Sequence, residues 1–294
     1  MTRKPPRNLR SLETRIHNAA RERGAPFRRI QRAVANVVVG QLIPPGVVKG
    51  GTAMKLRFGE SASRFTTDFD ATRHSSLTPE DYFEEFQRHL TAGWSGFTGT
   101  IEQETPARPE GVPNAYIIQP SAVKLGDEGR HWLTVKFELG HDEIGGTRSA
   151  ESRIALDLLA LFEALGLARP EPIALLSVEH QVAQKLHACT AIDAKTGGNE
   201  RAHDLVDLQI LVGKEGVDLP EARVVCERLF RARRSHLWPP VVVARPGWST
   251  LYAEASDGLG VLDNVTEAVE WANQLVAIIS SAPRPQLPST EFSA

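Results

Sequence analysis

Apolar residues recur at helical spacing from the start of the chain. Leu9, Leu12, Ile16, Ala19 and Ala20 lie three or four apart, and Gly24-Ala25-Pro26 ends the run. Phe27, Ile30, Val34, Val37 and Val38 predict a second helix, closed by Pro44-Pro45-Gly46. Val47-Val48 reads as a short strand running into Gly50-Gly51, and Thr52 to Arg57 as the first turns of a helix. At Asp68-Phe69-Asp70 the period changes to two. Both aspartates then share one strand face, while Phe69, and by the same reading Phe65, turn into the core. Thr78-Pro79-Glu80 opens a helix whose buried side is Tyr82, Phe83, Phe86 and Leu90. From Thr91 to Gly129 the chain offers only short β-like pieces, such as Ala115-Tyr116-Ile117-Ile118. The clearest strand is Trp132–Leu139. Leu133, Val135, Phe137 and Leu139 line one face, and Trp132, Thr134, Lys136 and Glu138 the other.

Past Gly166-Leu167-Ala168-Arg169-Pro170 the strand signal fades. Ser177 is placed to cap a helix with Val178, Val182, Lys185 and Cys189 on one stripe. Arg201 to Val212 predicts another helix, with Asp204 and Asp207 on one side and Leu205 and Leu208 packing. Asn264-Val265-Thr266-Glu267 opens a last amphipathic helix. The expected organisation is N-terminal helices plus a sheet-bearing core over 1–168, a helical domain over 169–282, and a disordered Pro-rich tail over 283–294.

Composition narrows the class. In 294 residues, 41% hydrophobic and 24% charged describe a chain able to bury a core, and no apolar run is long enough to span a membrane. Cys189 and Cys226 make no disulfide framework or zinc pattern, so a cytoplasmic protein is expected. Net charge is only −2, yet ten Lys/Arg fall between Arg3 and Arg32 against Glu13 and Glu22. A second cluster comprises Arg223, Arg228, Arg231, Arg233 and Arg234. Clustered arginine is the footprint of a polyanion partner; a solvated helix face accounts for either cluster equally well.

The candidate chemistry lies between the first strand and the Asp-x-Asp strand. Gly50 and Gly51, followed by Thr52, can bring backbone N–H groups close to a phosphate at a helix N-terminus. Asp68 and Asp70 form a hard oxygen site suited to Mg²⁺ or Mn²⁺. Thr66 is read on the same face, and Glu138 is a candidate third carboxylate from a neighbouring strand; an exposed strand edge explains Glu138 as well. Lys185 within an apolar stripe needs an anion, and Lys185→Met is expected to relieve a buried charge.

Taken in order, Lys49-Gly50-Gly51-Thr52, Arg64 through Asp70, Lys136 through Gly140, Glu179 with Gln184-Lys185, and Asn199 through Leu208 resemble the AbiEii family of nucleotidyltransferase toxins, including the mycobacterial MenT group. Glu138, Gln184 and His203 depart from residues usual there. The resemblance implies an α+β fold: a polymerase-β-type core, with a mixed sheet flanked by helices, and a C-terminal helical domain. It also implies transfer of a nucleotide from an NTP to RNA, at the 3′ acceptor end of tRNA, which blocks translation. An antitoxin partner follows from the same resemblance. Under it, Asp68 and Asp70 hold Mg²⁺, Gly50, Gly51, Thr52 and Thr66 meet the nucleotide, and Arg57 and Lys185 neutralise phosphate charge. Asp207, with Asp204, orients Lys185 or the incoming hydroxyl, and Arg231, Arg233 and Arg234 with Trp238 are placed to grip RNA. Two other readings stand beside it: a metal-dependent phosphohydrolase built on His187, His203 and Asp204, and a non-enzymatic nucleic-acid-binding module.

Overall fold

In the computed structural model, which describes residues 4–107, 117–127, 129–192 and 198–284, both N-terminal helices form where the apolar spacing places them. α1 (Leu9–Glu22) starts at Asn8, whose side chain accepts from the Ser11 N–H, and buries Leu12, Ile16, Ala19 and Ala20. α2 (Phe27–Leu42) buries Ile30, Val34, Val37 and Val38. The chain divides into two compact units at Ser177/Val178.

The first unit is built on a seven-stranded mixed sheet. Its strands are β1 (Gly46–Lys49), β2 (Asp68–Arg73), β3 (Thr98–Gln103), β4 (Gln119–Asp127), β5 (Arg130–Gly140), β6 (Glu151–Arg153) and β7 (Ile173–Leu175), in the order β3-β4-β5-β2-β1-β7-β6. β2 runs parallel to β5 and β1 parallel to β7; the other pairs are antiparallel. α3 (Gly50–Phe58), α4 (Pro79–Ala92) and α5 (Leu156–Leu165) complete the unit. α4 opens at Thr78, whose hydroxyl accepts from the Asp81 N–H. Phe69 and Phe137 are opposite each other in register, their rings stacked with centroids 5.6 Å apart. Tyr82 and Phe86 of α4 pack on Phe137. Each such side chain withdrawn from water contributes about 1.5–3 kcal/mol, so packing of the apolar face fixes β2 with its other face turned away from this core.

Several expectations change here. Phe65 is 43% exposed and lies ahead of β2, with the Lys55 ammonium 5.5 Å from its ring centre, so it is not a core residue. Trp132 is buried against Phe97 rather than on the polar face. The β4–β5 register shifts beside it, and a bulge of this kind turns the next side chain over. The first unit reaches Ser177 because Ile173–Leu175 adds a strand between β1 and β6, beyond the boundary expected at residue 168. Of the β-like piece at 115–118, Ala115 and Tyr116 lie outside the described residues, and β4 begins at Gln119.

The loop joining α3 to β2 is tied down by charge. Glu60 accepts from Arg29 Nε at 2.6 Å and Lys55 Nζ at 3.2 Å, and its N–H donates to Asp157 Oδ2 at 2.7 Å. Burial pushes the Lys55 pKa down, and the Glu60 charge opposes that shift.

The regular elements among the second unit's described residues are all helices: α6 (Val178–Thr190), α7 (Ala202–Lys214), α8 (Leu219–Arg233), α9 (Trp248–Ser256) and α10 (Val265–Ser281). Asn264 caps α10 by accepting from the Glu267 N–H. The tail expectation for 283–294 falls, from residue 285 onward, outside the described residues.

Candidate active site

Three strands bring charged residues into register on the polar face of the first unit. Lys49 of β1 pairs with Asp70 of β2, and Asp70 with Glu138 of β5. Two residues earlier, Asp68 pairs with Lys136. Side chains at paired positions share a face, so five charged groups form a two-row lattice. Lys136 Nζ lies 2.9 Å from Glu138 Oε1 and 3.6 Å from Asp68 Oδ2. The hydrogen bond to Glu138, with both carboxylate charges, raises the Lys136 pKa. Arg32 of α2 donates to the Thr134 carbonyl at 2.9 Å. Burial lowers its pKa, while the charge of Asp68 pulls the other way.

Gly50 closes this lattice from the side. It begins α3 at φ +63°, and a methyl group on its α-carbon would overlap Asp70 Oδ2. Only glycine takes that conformation without strain and lets the helix start press against a carboxylate. Gly51 brings the helix as close to Thr66, where an added Cβ would stand 3.0 Å from the Thr66 hydroxyl. Gly50→Ala is therefore expected to cost roughly 1–2 kcal/mol in backbone strain and to displace the Asp70 carboxylate. Denaturant unfolding and Mn²⁺ titration of the variant check this; wild-type stability and Mn²⁺ affinity together would refute it.

Thr52 and Arg57 are committed to the interior. The buried Thr52 hydroxyl donates to the Asp68 carbonyl at 2.7 Å and accepts from Asn36 Nδ2 at 3.2 Å. It anchors the start of β2 instead of offering its proton to a nucleotide. Arg57 donates to Glu151 Oε2 at 2.6 Å and to the Leu176 carbonyl at 3.1 Å, with its side chain wholly buried. It ties β6 to the end of β7, and the expected phosphate contact is not where the geometry puts it.

Within the second unit, Lys185 Nζ donates to Asp207 Oδ2 at 2.6 Å and Asp204 Oδ1 at 3.0 Å, all three side chains buried. The sequence placed these residues on two helices, and the fold joins them. His203 Nε2 stands 3.8 Å from Asp204 Oδ2. His187 keeps different company: its Nδ1 accepts from Arg233 Nη1 at 3.2 Å, and its Nε2 is 2.8 Å from the Ser235 hydroxyl. Burial, reinforced by the Arg233 charge, lowers its pKa to about 3. With both ring nitrogens occupied, His187 is not assembled with His203 and Asp204 into the metal centre that a phosphohydrolase needs. Arg233 is likewise turned onto His187, apart from Arg231 and Arg234, which are exposed.

Among the described residues, no three His, Cys, Asp or Glu side chains converge on a point that could hold a metal ion. Asp68 and Asp70 stand as a pair, and Lys136 engages Glu138 in place of the expected third metal contact. Two half-buried carboxylates at i and i+2 still suit Mg²⁺, which commonly takes one or two protein carboxylates and completes its shell with water and phosphate. Lys136, Lys49 and Arg32 were not singled out from sequence for this site. Lys136 was legible there, since it alternates with Glu138 on one strand; Arg32 was hidden in a general basic run.

Comparison with known proteins agrees with the motifs. A family model described as nucleotidyl transferase AbiEii toxin, type IV toxin–antitoxin system, matches residues 33–289. Among solved structures, MenT4, a nucleotidyltransferase toxin from Mycobacterium tuberculosis H37Rv, matches with a TM-score of 0.54 at 16% identity. That match covers 93% of this chain and 99% of the other. At such identity the likeness is one of fold: a mixed sheet flanked by helices, followed by helices. No curated protein matches.

Proposed function

We propose, from the premise that this chain belongs to the AbiEii family of nucleotidyl transferase toxins of type IV toxin–antitoxin systems, that it transfers a nucleotide from an NTP to the 3′ end of an RNA. The observation that carries the reading is the closure of Gly50 on Asp70, which sets a helix N-terminus beside the Asp68/Asp70 pair. The acceptor we assign is the 3′ end of tRNA, so that modification blocks translation, and the partner is a cognate antitoxin. No helix among the described residues is long and apolar enough to cross a membrane, and we place the reaction in the cytoplasm.

Asp68 and Asp70 would hold Mg²⁺ or Mn²⁺, which when bound supplies charge neutralisation at the triphosphate and a more acidic attacking hydroxyl. The chain's own groups do the rest. Gly50 and Gly51 let the triphosphate approach the first N–H groups of α3, where the helix dipole favours negative charge. Thr66 walls that approach at Gly51. Lys136 balances the carboxylates of the lattice before a nucleotide arrives, and Glu138 holds it in place. Lys185 keeps the catalytic assignment implied by the family motif, with Asp204 and Asp207 setting its position and charge.

The test is incubation of the full chain with each labelled NTP, total RNA and Mg²⁺, followed by sequencing of RNA 3′ ends. Label joined covalently to RNA 3′ ends, lost with EDTA and restored by Mg²⁺ or Mn²⁺, is expected. Release of phosphate without labelled RNA would assign a phosphohydrolase instead, and RNA binding without chemistry a non-enzymatic module.

A further inference from the structure

Away from the carboxylate lattice, the second unit carries a cleft of about 820 Å³ between the end of α8, the turn that follows it and the end of α10. Clefts of roughly 300–1,000 Å³ are of ligand-binding size. Arg223, Arg231, Arg234 and Arg284 line it against a single acid, Glu227. Glu227 is engaged by Arg223 Nε and Arg284 Nη2, each at 3.0 Å. Arg231 and Arg234 have no acidic partner among the described residues, so the lining carries an unbalanced positive charge.

The same cleft is lined by aromatic rings. Trp238 packs edge-to-face on Phe230 with centroids 5.2 Å apart, and Phe230 also meets His236 at 4.9 Å. The turn bearing them is braced from α6: Thr190 Oγ1 lies 2.6 Å from His236 Nε2, and Ser235 Oγ lies 3.0 Å from His236 Nδ1 and 2.8 Å from His187 Nε2. Bracing of this kind orders the turn before a ligand arrives, which lowers the entropy lost on binding.

Resting on the reading of RNA as the acceptor, we propose that this cleft docks single-stranded RNA, with phosphates on Arg231 and Arg234 and a base against Trp238. An acidic protein segment would use the arginines but has no need of the aromatic rings. Stacked bases use both, and base–aromatic stacking is a main source of single-strand affinity.

The test is fluorescence anisotropy of a labelled single-stranded oligoribonucleotide with the full chain, without NTP, over a salt series. Arg231→Glu with Arg234→Glu is expected to weaken binding more than about tenfold at low salt. It should also flatten the log–log salt slope by roughly 1.4, near 0.7 for each phosphate that is no longer neutralised. Trp238→Ala should weaken binding roughly five- to a hundredfold without changing the slope, and Trp238→Phe should retain most of it. NTP affinity should be unchanged in all of them. Should charge reversal unfold the unit, Arg231→Gln with Arg234→Asn removes the charge while keeping a residue suited to the left-handed conformation that ends α8 at Arg234. Unchanged RNA binding in folded variants overturns the proposal. So does a poly-glutamate peptide that competes as well as RNA and is indifferent to Trp238. RNA docking lost in these variants while no NTP ever labels RNA in the wild type would refute the nucleotidyl-transfer reading and leave the docking site standing.

Discussion

Asp70→Ala and Asp68→Ala should each abolish nucleotide transfer and leave the fold intact. Both carboxylates stand on the half-buried face of β2, while the packing that holds the strand comes from Phe69 and Ala71 on the other face. Truncating them removes no apolar contact from the core, and substitutions of that kind usually change stability by less than about 0.5 kcal/mol. The chemical loss is of another order. Removing one preorganised group that meets developing charge typically lowers kcat by about 10²–10³-fold, and a carboxylate that holds the metal should cost at least that. The measurements are labelled-NTP transfer and thermal unfolding on the same preparations. Full activity in either folded variant would remove the metal assignment.

The second large effect reverses an expectation drawn from sequence. A lysine in an apolar stripe suggested that Lys185→Met would relieve a buried charge. The structure shows Lys185 as the cation shared by Asp207, which is fully buried, and Asp204, which is 5% exposed. Methionine would leave two carboxylates inside the unit without that cation. Breaking a buried pair from one side costs roughly 3–5 kcal/mol, so Lys185→Met should unfold at markedly lower denaturant than wild type. Neutralising the acids in the same chain, as Lys185→Met with Asp204→Asn and Asp207→Asn, should recover much of the loss. A single Lys185→Met variant as stable as wild type would show that the cluster is not held by this charge balance.

The readable parts of the chain were those governed by local period. The helices α1, α2, α4 and α10 follow apolar spacing and caps, and β2 follows strict alternation around Phe69. β4 escaped because Pro120 and Gly126 interrupt its pattern, and its burial is set by strands on either side. Trp132 was misplaced because alternation cannot foresee a bulge. The hardest residues were charged ones that the fold buries. α3 is buried around most of its circumference, and Lys55 and Arg57 are met there by the carboxylates of Glu60 and Glu151. Glu151 is 94 residues away in the chain, so nothing near Arg57 announces its partner. The paired aspartates and glycines were legible because their chemistry is local; the lysine and arginine whose charges meet Asp68 come from β5 and α2.

The strand pairing of the sheet also bears on when a toxic protein can become toxic during its own synthesis. β2 is flanked by β1, which precedes it, and by β5, whose partner for Phe69 is Phe137. β1 in turn completes its outer side with Leu175 of β7, opposite Val48. Pairings between distant segments form late, because the loop between them must close first. A ribosome that has passed Asp70 has therefore made both acidic residues and β1, but not β5 and β7, which complete the sheet around them. The delay until β5 and β7 emerge is an interval in which the nascent chain carries the motif without the folded site.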